Sequence, residues 1–390
     1  MRDVFIAGAF VTPFGKFEQH SLRSLAADAV TGVLADAGAT PDEIDMVFFG
    51  NAAEGILTGQ ECIRGQVALD GTGLQGKPIF NCENACASGS TAVHLAVMAI
   101  QSSGADVAIA IGAEKLSNPD RAKTFSVFQG GWDVERYGGP DGTSNQSAFM
   151  GVYAEMTKDY MSRSGATPED FAAISVKSHA NGALNPNAQY RDPLTVEEVM
   201  ASRTIDDPLR LLMCSPIGDG ASAVIVASAK GLERLEADPV RVLAAELRSG
   251  VTDRDGEDSP VVQAARAAYA KAGIGPQDLD VIEVHDAAAP AELIVSEEIG
   301  IAAPGEGPAL LRRGGTAIDG EFPINPSGGL LSRGHPVGAT GCAQLTELVD
   351  QLRGRCGERQ VQGAKIALAE NGGGWAGKAP AAATITILGR

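Results

Sequence analysis

The residues best suited to covalent chemistry lie between Asn81 and Val93, in the stretch NCENACASGSTAV, with Cys86 at its centre. Small residues from Ala87 to Thr91 follow the thiol and clear space around it. An apolar helical pattern then begins at Ala92, Val93, Leu95, Ala96, Val97 and Ile100. A thiol at a helix start meets unpaired backbone N–H groups and the positive end of the helix dipole, which favour the thiolate. A cysteine taken alone is more often a small buried hydrophobe, so the nucleophile reading needs a base nearby. The glycine-rich stretch NPSGGLLSRGHPVGATG, Asn325 to Gly341, surrounds His335 with backbone N–H groups and open space. His285 closes the apolar run of VIEVHDAA, Val281 to Ala288, at the strand end where active-site side chains of α/β sheets emerge. In ALAENGGGWAG, Ala367 to Gly377, a strand is expected to end in three glycines. Their N–H groups could face a ligand carbonyl or simply make a tight turn.

An internal repeat ties the thiol to an imidazole. The pattern Ala37-Gly38, Pro41, Ile44-Asp45, Val47 returns as Ala272-Gly273, Pro276, Leu279-Asp280, Ile282, offset by 280 − 45 = 235 residues. An apolar helix precedes each copy (ADAVTGVLADAG and VQAARAAYAKAG) and a hydrophobic strand follows each (MVFFG and VIEVH). Further along, Cys86-Ala-Ser-Gly89-Ser-Thr91 matches His335-Pro-Val-Gly338-Ala-Thr340, and the strands DVAIAIGAE and KIALAENGG complete the correspondence. Two duplicated α/β halves packed on one another bring equivalent helix starts together. The repeat by itself therefore sets His335 opposite Cys86, as the base that takes the thiol proton.

The remaining elements follow from pattern. Strands are expected at Asp3 to Phe10, Met46 to Phe49, Pro78 to Phe80 and Asp106 to Ile111, with a helix over Leu22 to Ala37 and a turn at Pro41 to Glu43. From Asn118 to about Cys214 the chain is rich in Gly, Asn, Pro, Ser and Tyr, with helical patches at Gly151 to Arg163 and Pro168 to Ser178. It reads as an insertion lying over the first half, and Ala221 to Ala227 returns as a strand to the first sheet. The divisions are 1–117 with 215–235, 118–214, and 236–390. Cys82, Cys214 and Cys342 fit core patterns, and Glu114 and Lys115 read as structural groups at a strand end.

A net charge of −18 argues against nucleic acid as a partner, while a local basic patch could still hold an anionic small ligand. No apolar run is long enough to span a bilayer, so no membrane partner is expected. Six scattered cysteines (Cys62, Cys82, Cys86, Cys214, Cys342, Cys356), without a signal pattern at the N-terminus, fit a reduced, cytoplasmic compartment. None of them has metal-ligand spacing in sequence, and no metal is expected.

Together these motifs resemble the thiolases over essentially the whole chain. The carrying residues are Thr12-Pro13-Phe14-Gly15, Asn84-Ala85-Cys86-Ala87-Ser88-Gly89, Gly218-Asp219-Gly220-Ala221 and Asn325 to Gly341. His285-Asp286, where many thiolases read Asn-Glu, and SHANGALNPNAQYRDP, Ser178 to Pro193, resemble the sterol-carrier-protein-x-type branch and its bacterial and archaeal acetyl-CoA acetyltransferase-like relatives. The resemblance implies an α/β fold with two duplicated halves in a layered αβαβα arrangement. It implies an acyl-CoA C-acyltransferase that cleaves a β-ketoacyl-CoA with CoA, or runs the reverse Claisen condensation. Cys86 would carry the acyl group as a thioester. His335 would activate it and, with His285, polarise the thioester oxygen, while the N–H groups of Cys86 and Gly372 would form a second oxyanion hole. CoA is then a substrate and no resident cofactor is implied, and a homodimer or homotetramer is expected. Phe125, Phe128, Trp132 and Tyr137 could line an acyl pocket or form the insertion's own core.

The chain also departs from the pattern. Well-known thiolases carry a second, acid/base cysteine where this chain has Glu370, and sterol-carrier-type relatives can carry it where this chain has Ala287. Glu370 is expected to take over the proton transfer if burial raises its pKa; the rival reading makes it structural. Relatives of this branch also include aldol-type lyases, thiolases for bulky or aryl acyl-CoAs, and subunits that work with a small OB-fold, zinc-ribbon partner. A ketosynthase-like condensing enzyme would use the same Cys-His-His set, and a lipid-carrier or scaffold subunit is the reading from outside enzymology.

Overall fold

The computed structural model describes residues 2–139, 147–250, 258–377 and 379–390. Residues 140–146 of the expected insertion and 251–257 of the second half lie outside the described residues. In chain order the strands are β1 (Val4–Val11), β2 (Met46–Gly50), β3 (Ile79–Cys82), β4 (Val107–Lys115), β5 (Thr204–Asp206), β6 (Leu209–Arg210), β7 (Asp219–Ser228), β8 (Val240–Ser249), β9 (Val281–Glu283), β10 (Ile366–Ala376) and β11 (Ala379–Gly389). The helices of the first half and insertion are α1 (Leu22–Asp36), α2 (Glu54–Thr58), α3 (Arg64–Ala68), α4 (Ser88–Gln101), α5 (Arg121–Gln129), α6 (Val134–Tyr137), α7 (Ala148–Ser164), α8 (Pro168–Ala183) and α9 (Val196–Ala201). Those that follow are α10 (Ala229–Leu232), α11 (Pro260–Ala272), α12 (Pro290–Glu298), α13 (Gly307–Arg312), α14 (Gly329–Ser332) and α15 (Thr340–Arg353).

Nine strands form one mixed sheet in the order β3-β2-β4-β7-β1-β8-β11-β10-β9. The order reads symmetrically outward from the β1–β8 junction, where only Phe5↔Arg241 and Ile6↔Val240 pair. On each side an antiparallel neighbour follows (β7, β11), then an antiparallel strand (β4, β10), then a parallel one (β2, β9). The counterpart of β3 is a single parallel bridge, Ile282↔Ile324. The repeated aspartate explains part of this symmetry. Asp45 accepts the N–H groups of Asp106 and Val107 at 2.9 and 2.8 Å, and Asp280 accepts those of Lys365 and Ile366 at 2.8 and 2.9 Å. In each half the carboxylate thus docks the start of the strand that will lie beside it.

Strand alternation assigns the layers. Ala108 and Ala110 of β4 and Val224 and Val226 of β7 pack into the cluster formed by α4 and α15, while Val107, Ile109, Ile111 and Ile225 turn to α1 on the other face. In the second half Ala367 and Ala369 face α15, and Leu368, Ile385 and Ile387 face α11. The two halves of the sheet, either side of the β1–β8 junction, thus enclose α4 and α15 and carry α1 and α11 outside, which gives the αβαβα layering. Each fully buried Leu, Ile or Val in these clusters contributes about 1.5–3 kcal/mol. The middle layer is tight because α4 and α15 cross at glycines: a Cβ on Gly341 would fall 2.4 Å from the Ser90 nitrogen, and one on Gly89 would fall 2.6 Å from the Gly338 oxygen.

The insertion corrects one expectation. Instead of lying over the first half alone, it bridges both. Leu57 of α2 and Val127 of α5 share a cluster with Leu116 of the first half and Val337 of the second, and Tyr160, Phe171 and Ile174 of α7 and α8 pack on Leu293 and Ile294 of α12. Lys177–Glu292 (2.6 Å), Arg312–Asp170 (2.7 Å) and Arg163–Glu297 (3.0 Å) fasten the same contact. The three-glycine run also differs from a strand end. β10 continues through Gly372–Gly374 to Ala376 because β11 pairs with it along that length.

Candidate active site

Cys86 sits in a 3-10 turn, Ala85–Ala87, that leads into α4 at Ser88. The turn is held locally: Ser88 Oγ accepts the Asn84 N–H at 3.0 Å and donates to the Ala85 carbonyl at 2.7 Å, while Asn84 Nδ2 donates to Thr91 Oγ1 at 2.9 Å. The second half has the same construction, a 3-10 turn at Val337–Ala339 running into α15. The equivalence is shifted from the sequence match. Helix starts superpose with an offset of 340 − 88 = 252 residues, so Cys86 corresponds to Gly338 and His335 lies three residues earlier. The imidazole reaches the thiol all the same. One donor atom each from Cys86, His285 and His335 lies within 4.8 Å of the others, and the two imidazole rings meet edge to face with centroids 5.1 Å apart.

Each histidine is held by an identifiable partner. Thr340 Oγ1 lies 2.7 Å from His335 Nδ1 and 3.1 Å from the Pro336 carbonyl; with the hydroxyl hydrogen on that carbonyl, the ring donates from Nδ1 and presents Nε2 as the acceptor. The loop itself is anchored by Glu114, a buried carboxylate of β4. It accepts Asn51 Nδ2 and the N–H groups of Ala52, Ala53 and Gly338 at 2.7 to 3.1 Å. Glu114 is therefore structural, as expected, and it ties the His335 turn to the other half. His285 follows β9 by two residues; its backbone N–H donates to Glu370 Oε2 at 2.9 Å and its ring Nε2 is buried without a partner.

The electrostatics correct the thiolate expectation. Burial, with Glu114 nearby, pushes the Cys86 thiol up to about 12, outweighing the N–H groups of Cys86 and Gly374 that face it. Burial holds His285 down to about 4. Burial, with His285 and Arg333 adding to it, holds His335 well below the usual histidine range. The resting site at neutral pH is thiol plus neutral imidazoles, so proton and nucleophile must move together. Glu370, 1% exposed, is pushed up to about 8 by burial against the opposing His285 N–H. It is thus protonated at neutral pH.

These groups border a cavity of about 270 Å³, reached by Cys86, His285, His335 and Gly372–Gly374. Glu370 lies just behind that wall, its Oε1 3.6 Å from where a Gly372 Cβ would sit. Phe125 and Phe128 line the same cavity; Trp132 and Tyr137 line another. Cys214, read as core, is a wall residue. Sequence reasoning also passed over Tyr153 on the wall and Lys16, Arg121 and Arg203 at the mouth. Burial, then the charges of Cys86, Glu370 and Asp286, raise the Tyr153 phenol. None of the three cations has a carboxylate partner among the described residues. Their positions are 187 residues apart at the extremes (203 − 16), and no local pattern links them. The Cys-His-His set is also one that a thiophilic metal ion would accept, which spacing in sequence did not reveal.

Comparison with known proteins gives the family. Residues 4–230 match the profile "Thiolase, N-terminal domain" and residues 246–390 match "Thiolase C-terminal domain-like". The chain is 40% identical to an acetyl-CoA acetyltransferase of Methanothermobacter thermautotrophicus, over 97% of this chain and 98% of that one. It is 36% identical to Homo sapiens sterol carrier protein 2, over 95% of this chain and 70% of that one. It is also 36% identical to the benzoylsuccinyl-CoA thiolase subunit BbsB of Thauera aromatica, over 93% and 92%. Among solved structures, an Ltp2-ChsH2(DUF35) aldolase aligns with a TM-score of 0.81 at 26% identity, covering 99% of this chain and 97% of that one. Human mitochondrial 3-ketoacyl-CoA thiolase shares the fold, with a TM-score of 0.72 at 18% identity, covering 100% of this chain and 99% of that one. No helix among the described residues is long and apolar enough to cross a membrane. The chain belongs to the thiolase family, as an acyltransferase of the branch that its acetyl-CoA acetyltransferase and sterol-carrier-protein relatives share.

Proposed function

We propose that this chain cleaves a β-ketoacyl-CoA with CoA, or runs the reverse condensation, through an acyl-Cys86 thioester. The observation that carries the reading is the convergence of Cys86, His285 and His335, from three separate loops, within 4.8 Å on one cavity wall. In the cleavage direction His335 Nε2 takes the Cys86 proton as sulfur attacks the keto carbon, and N–H groups of Cys86 and Gly372 hold the oxyanion. The carbon–carbon bond then breaks, and its electron pair passes to an enolate whose oxygen faces the two imidazoles. Protonated Glu370 gives its proton to the α-carbon and releases that fragment as its CoA thioester, acetyl-CoA for an unbranched substrate, while the shortened acyl group stays on Cys86. The thiol of free CoA gives its proton to the Glu370 carboxylate and displaces Cys86, which takes its proton back from His335, so that the shortened acyl-CoA is released. Glu370 fills this role because both seats for a second cysteine hold other residues.

CoA is then a substrate, and neither a metal nor a redox cofactor takes part. Lys16, Arg121 and Arg203 at the mouth give an otherwise acidic chain a local site for its phosphates. A homodimeric or homotetrameric state and a cytoplasmic location go with this reading. A second reading, an aldol-type lyase working with a small OB-fold, zinc-ribbon subunit, has the support of the aligned aldolase and of the missing second cysteine. One experiment separates the two. The protein is incubated with acetoacetyl-CoA and CoA, and the peptide holding Cys86 is weighed by mass spectrometry, with Cys86→Ser as control. The thiolase reading expects an acetylated peptide and acetyl-CoA release at least about 10³-fold above the variant. Turnover without acylation of Cys86 favours the lyase.

A further inference from the structure

The donor atoms of Cys86, His285 and His335 can do more than move a proton. All lie within 4.8 Å of one another. Any three points so spaced lie within about 2.8 Å of a common centre (4.8 divided by √3), against bonds of about 2.3 Å to sulfur and 2.0–2.1 Å to nitrogen in zinc sites. Each ligand would close by no more than about 0.5–0.8 Å to meet an ion there.

The three are held so that such a closure is open to them. His335 is the fixed member: its Nδ1 lies 2.7 Å from Thr340 Oγ1, which leaves Nε2 for the thiol side. A hydroxyl behind an imidazole is the kind of outer contact that orients a metal-bound histidine. His285 is the loose member. It is only 8% exposed, and its Nε2 is buried without a partner. Backbone N–H groups of Cys86 and Gly374 face the Cys86 sulfur, and no side chain among the described residues bonds to it. Two of the three ligands can therefore turn toward an ion without breaking a side-chain hydrogen bond.

All three border the cavity of about 270 Å³, which gives an ion its entry and leaves a fourth position for water. The same cavity carries Lys16, Arg121 and Arg203 at its mouth, and these repel a divalent cation. Binding must then come from coordination to sulfur and imidazole nitrogen rather than from charge. That donor set suits zinc and its thiophilic neighbours, whereas magnesium and calcium take oxygen ligands.

We propose that Cys86, His285 and His335 form a reversible inhibitory site for a thiophilic divalent ion, Zn²⁺ foremost. The Cys86 S–H bond breaks as the S–Zn bond forms, the proton passes to water, and no electron is transferred. The ion occupies the sulfur that attacks substrate, so the metal-bound chain is an inactive form that a chelator reopens. This site stands apart from the thiolase reading, since it asks only that three donors meet.

Co²⁺ serves as the optical probe, because a cobalt–thiolate bond gives a charge-transfer band that oxygen and nitrogen ligands do not. The full chain carries Cys62→Ser, which removes its exposed cysteine. One Co²⁺ per chain should raise the band, Zn²⁺ should displace it, and Mg²⁺ should not. Cys86→Ser should abolish the band, and His285→Asn should weaken Zn²⁺ at least about 10²-fold, more than an outer contact is worth. Without either of these variants, Zn²⁺ at ten times its binding midpoint should slow iodoacetamide alkylation of Cys86 about tenfold, and a chelator should restore the rate. A band of equal strength in Cys86→Ser, equal Zn²⁺ affinity in folded His285→Asn, or alkylation that Zn²⁺ leaves unchanged overturns the site. If a variant does not fold, the alkylation arm decides by itself. Acylation of Cys86 by acetoacetyl-CoA is measured on the chelated protein. Acyl-Cys86 without a cobalt band sinks the metal site alone, while a cobalt band without acyl-Cys86 sinks the thiolase reading alone.

Discussion

The two helix starts that meet at the centre of the molecule are built alike and loaded differently. Each runs a 3-10 turn into a 14-residue helix, and the helices touch through Gly89 and Gly341. At the first start the turn that presents Cys86 is fastened by its own neighbours, Asn84, Ser88 and Thr91. At the second, the imidazole that approaches the thiol is fixed by Thr340 within its own half and by Glu114 from the other half. The turn that holds the nucleophile closes on its own neighbours, with one tie to the second half where Ser90 Oγ donates to Asn371 Oδ1 at 2.8 Å; the turn after the base is tied to the first half directly, through the Gly338 N–H and Glu114. Two copies of one framework thus give a site that exists only when both are folded together.

That asymmetry can be broken from the second side first. His335→Gln should lower turnover by about 10²–10⁴ while leaving the Cys86 turn intact, as read by steady-state kinetics beside the far-UV spectrum. Glu114→Gln turns an amide N–H toward backbone donors and should cost about 1–3 kcal/mol of stability with roughly a tenfold loss of turnover. Because that change also removes a negative charge near the thiol, alkylation of Cys86 by iodoacetamide should stay as fast or become faster. Slower alkylation in parallel with lost turnover would mean that Glu114 holds both helix starts equally, and the contrast between them would fall.

The smallest effect concerns pH. Glu370 titrates near 8 in the folded chain and near 4.5 unfolded, so the folded state holds its proton over that interval and stability falls as pH rises from about 5 to 8. Glu370→Gln removes this slope. The variant's melting temperature should therefore gain on the wild type between pH 5 and 8 and hold level above 8. His285, down to about 4, and His335, well below the usual range, add a slope of the opposite sign below about 6.5, where the unfolded chain takes protons that the folded one refuses; wild type and variant share it, so it cancels in their comparison.

Much of the site was legible in the chain because duplication writes it twice. Asp45 and Asp280 recur at the same place and dock the same strand, and the Cys86 and His335 segments each precede a middle-layer helix. The three-residue shift between the two helix starts was hidden by a match of small residues, Gly89 with Gly338, which alanine- and glycine-rich stretches make by chance. The insertion's attachment to α12 was not legible, because Phe171 and Leu293 meet across more than a hundred residues and neither flanking pattern encodes the other. The state of Cys86 was misread for a similar reason. The helix start is local and visible, whereas burial and the Glu114 carboxylate come from the rest of the fold. The glycines of β10 read as a stop because glycine weakens strands, but pairing with β11 overrides that preference. The exposed cations at the cavity mouth left no pattern at all.

What distinguishes this chain from a two-cysteine thiolase is the claim that Glu370 moves the α-carbon proton, and isotope exchange tests it most directly. Wild type and Glu370→Gln are incubated with acetyl-CoA in D₂O, deuterium at the acetyl methyl is followed by mass spectrometry, and acetylation of Cys86 is measured in the same samples. The account predicts that the variant still acetylates Cys86 but exchanges deuterium at least about 10²-fold more slowly than wild type. Equal exchange in the two proteins would contradict it and return Glu370 to a structural role.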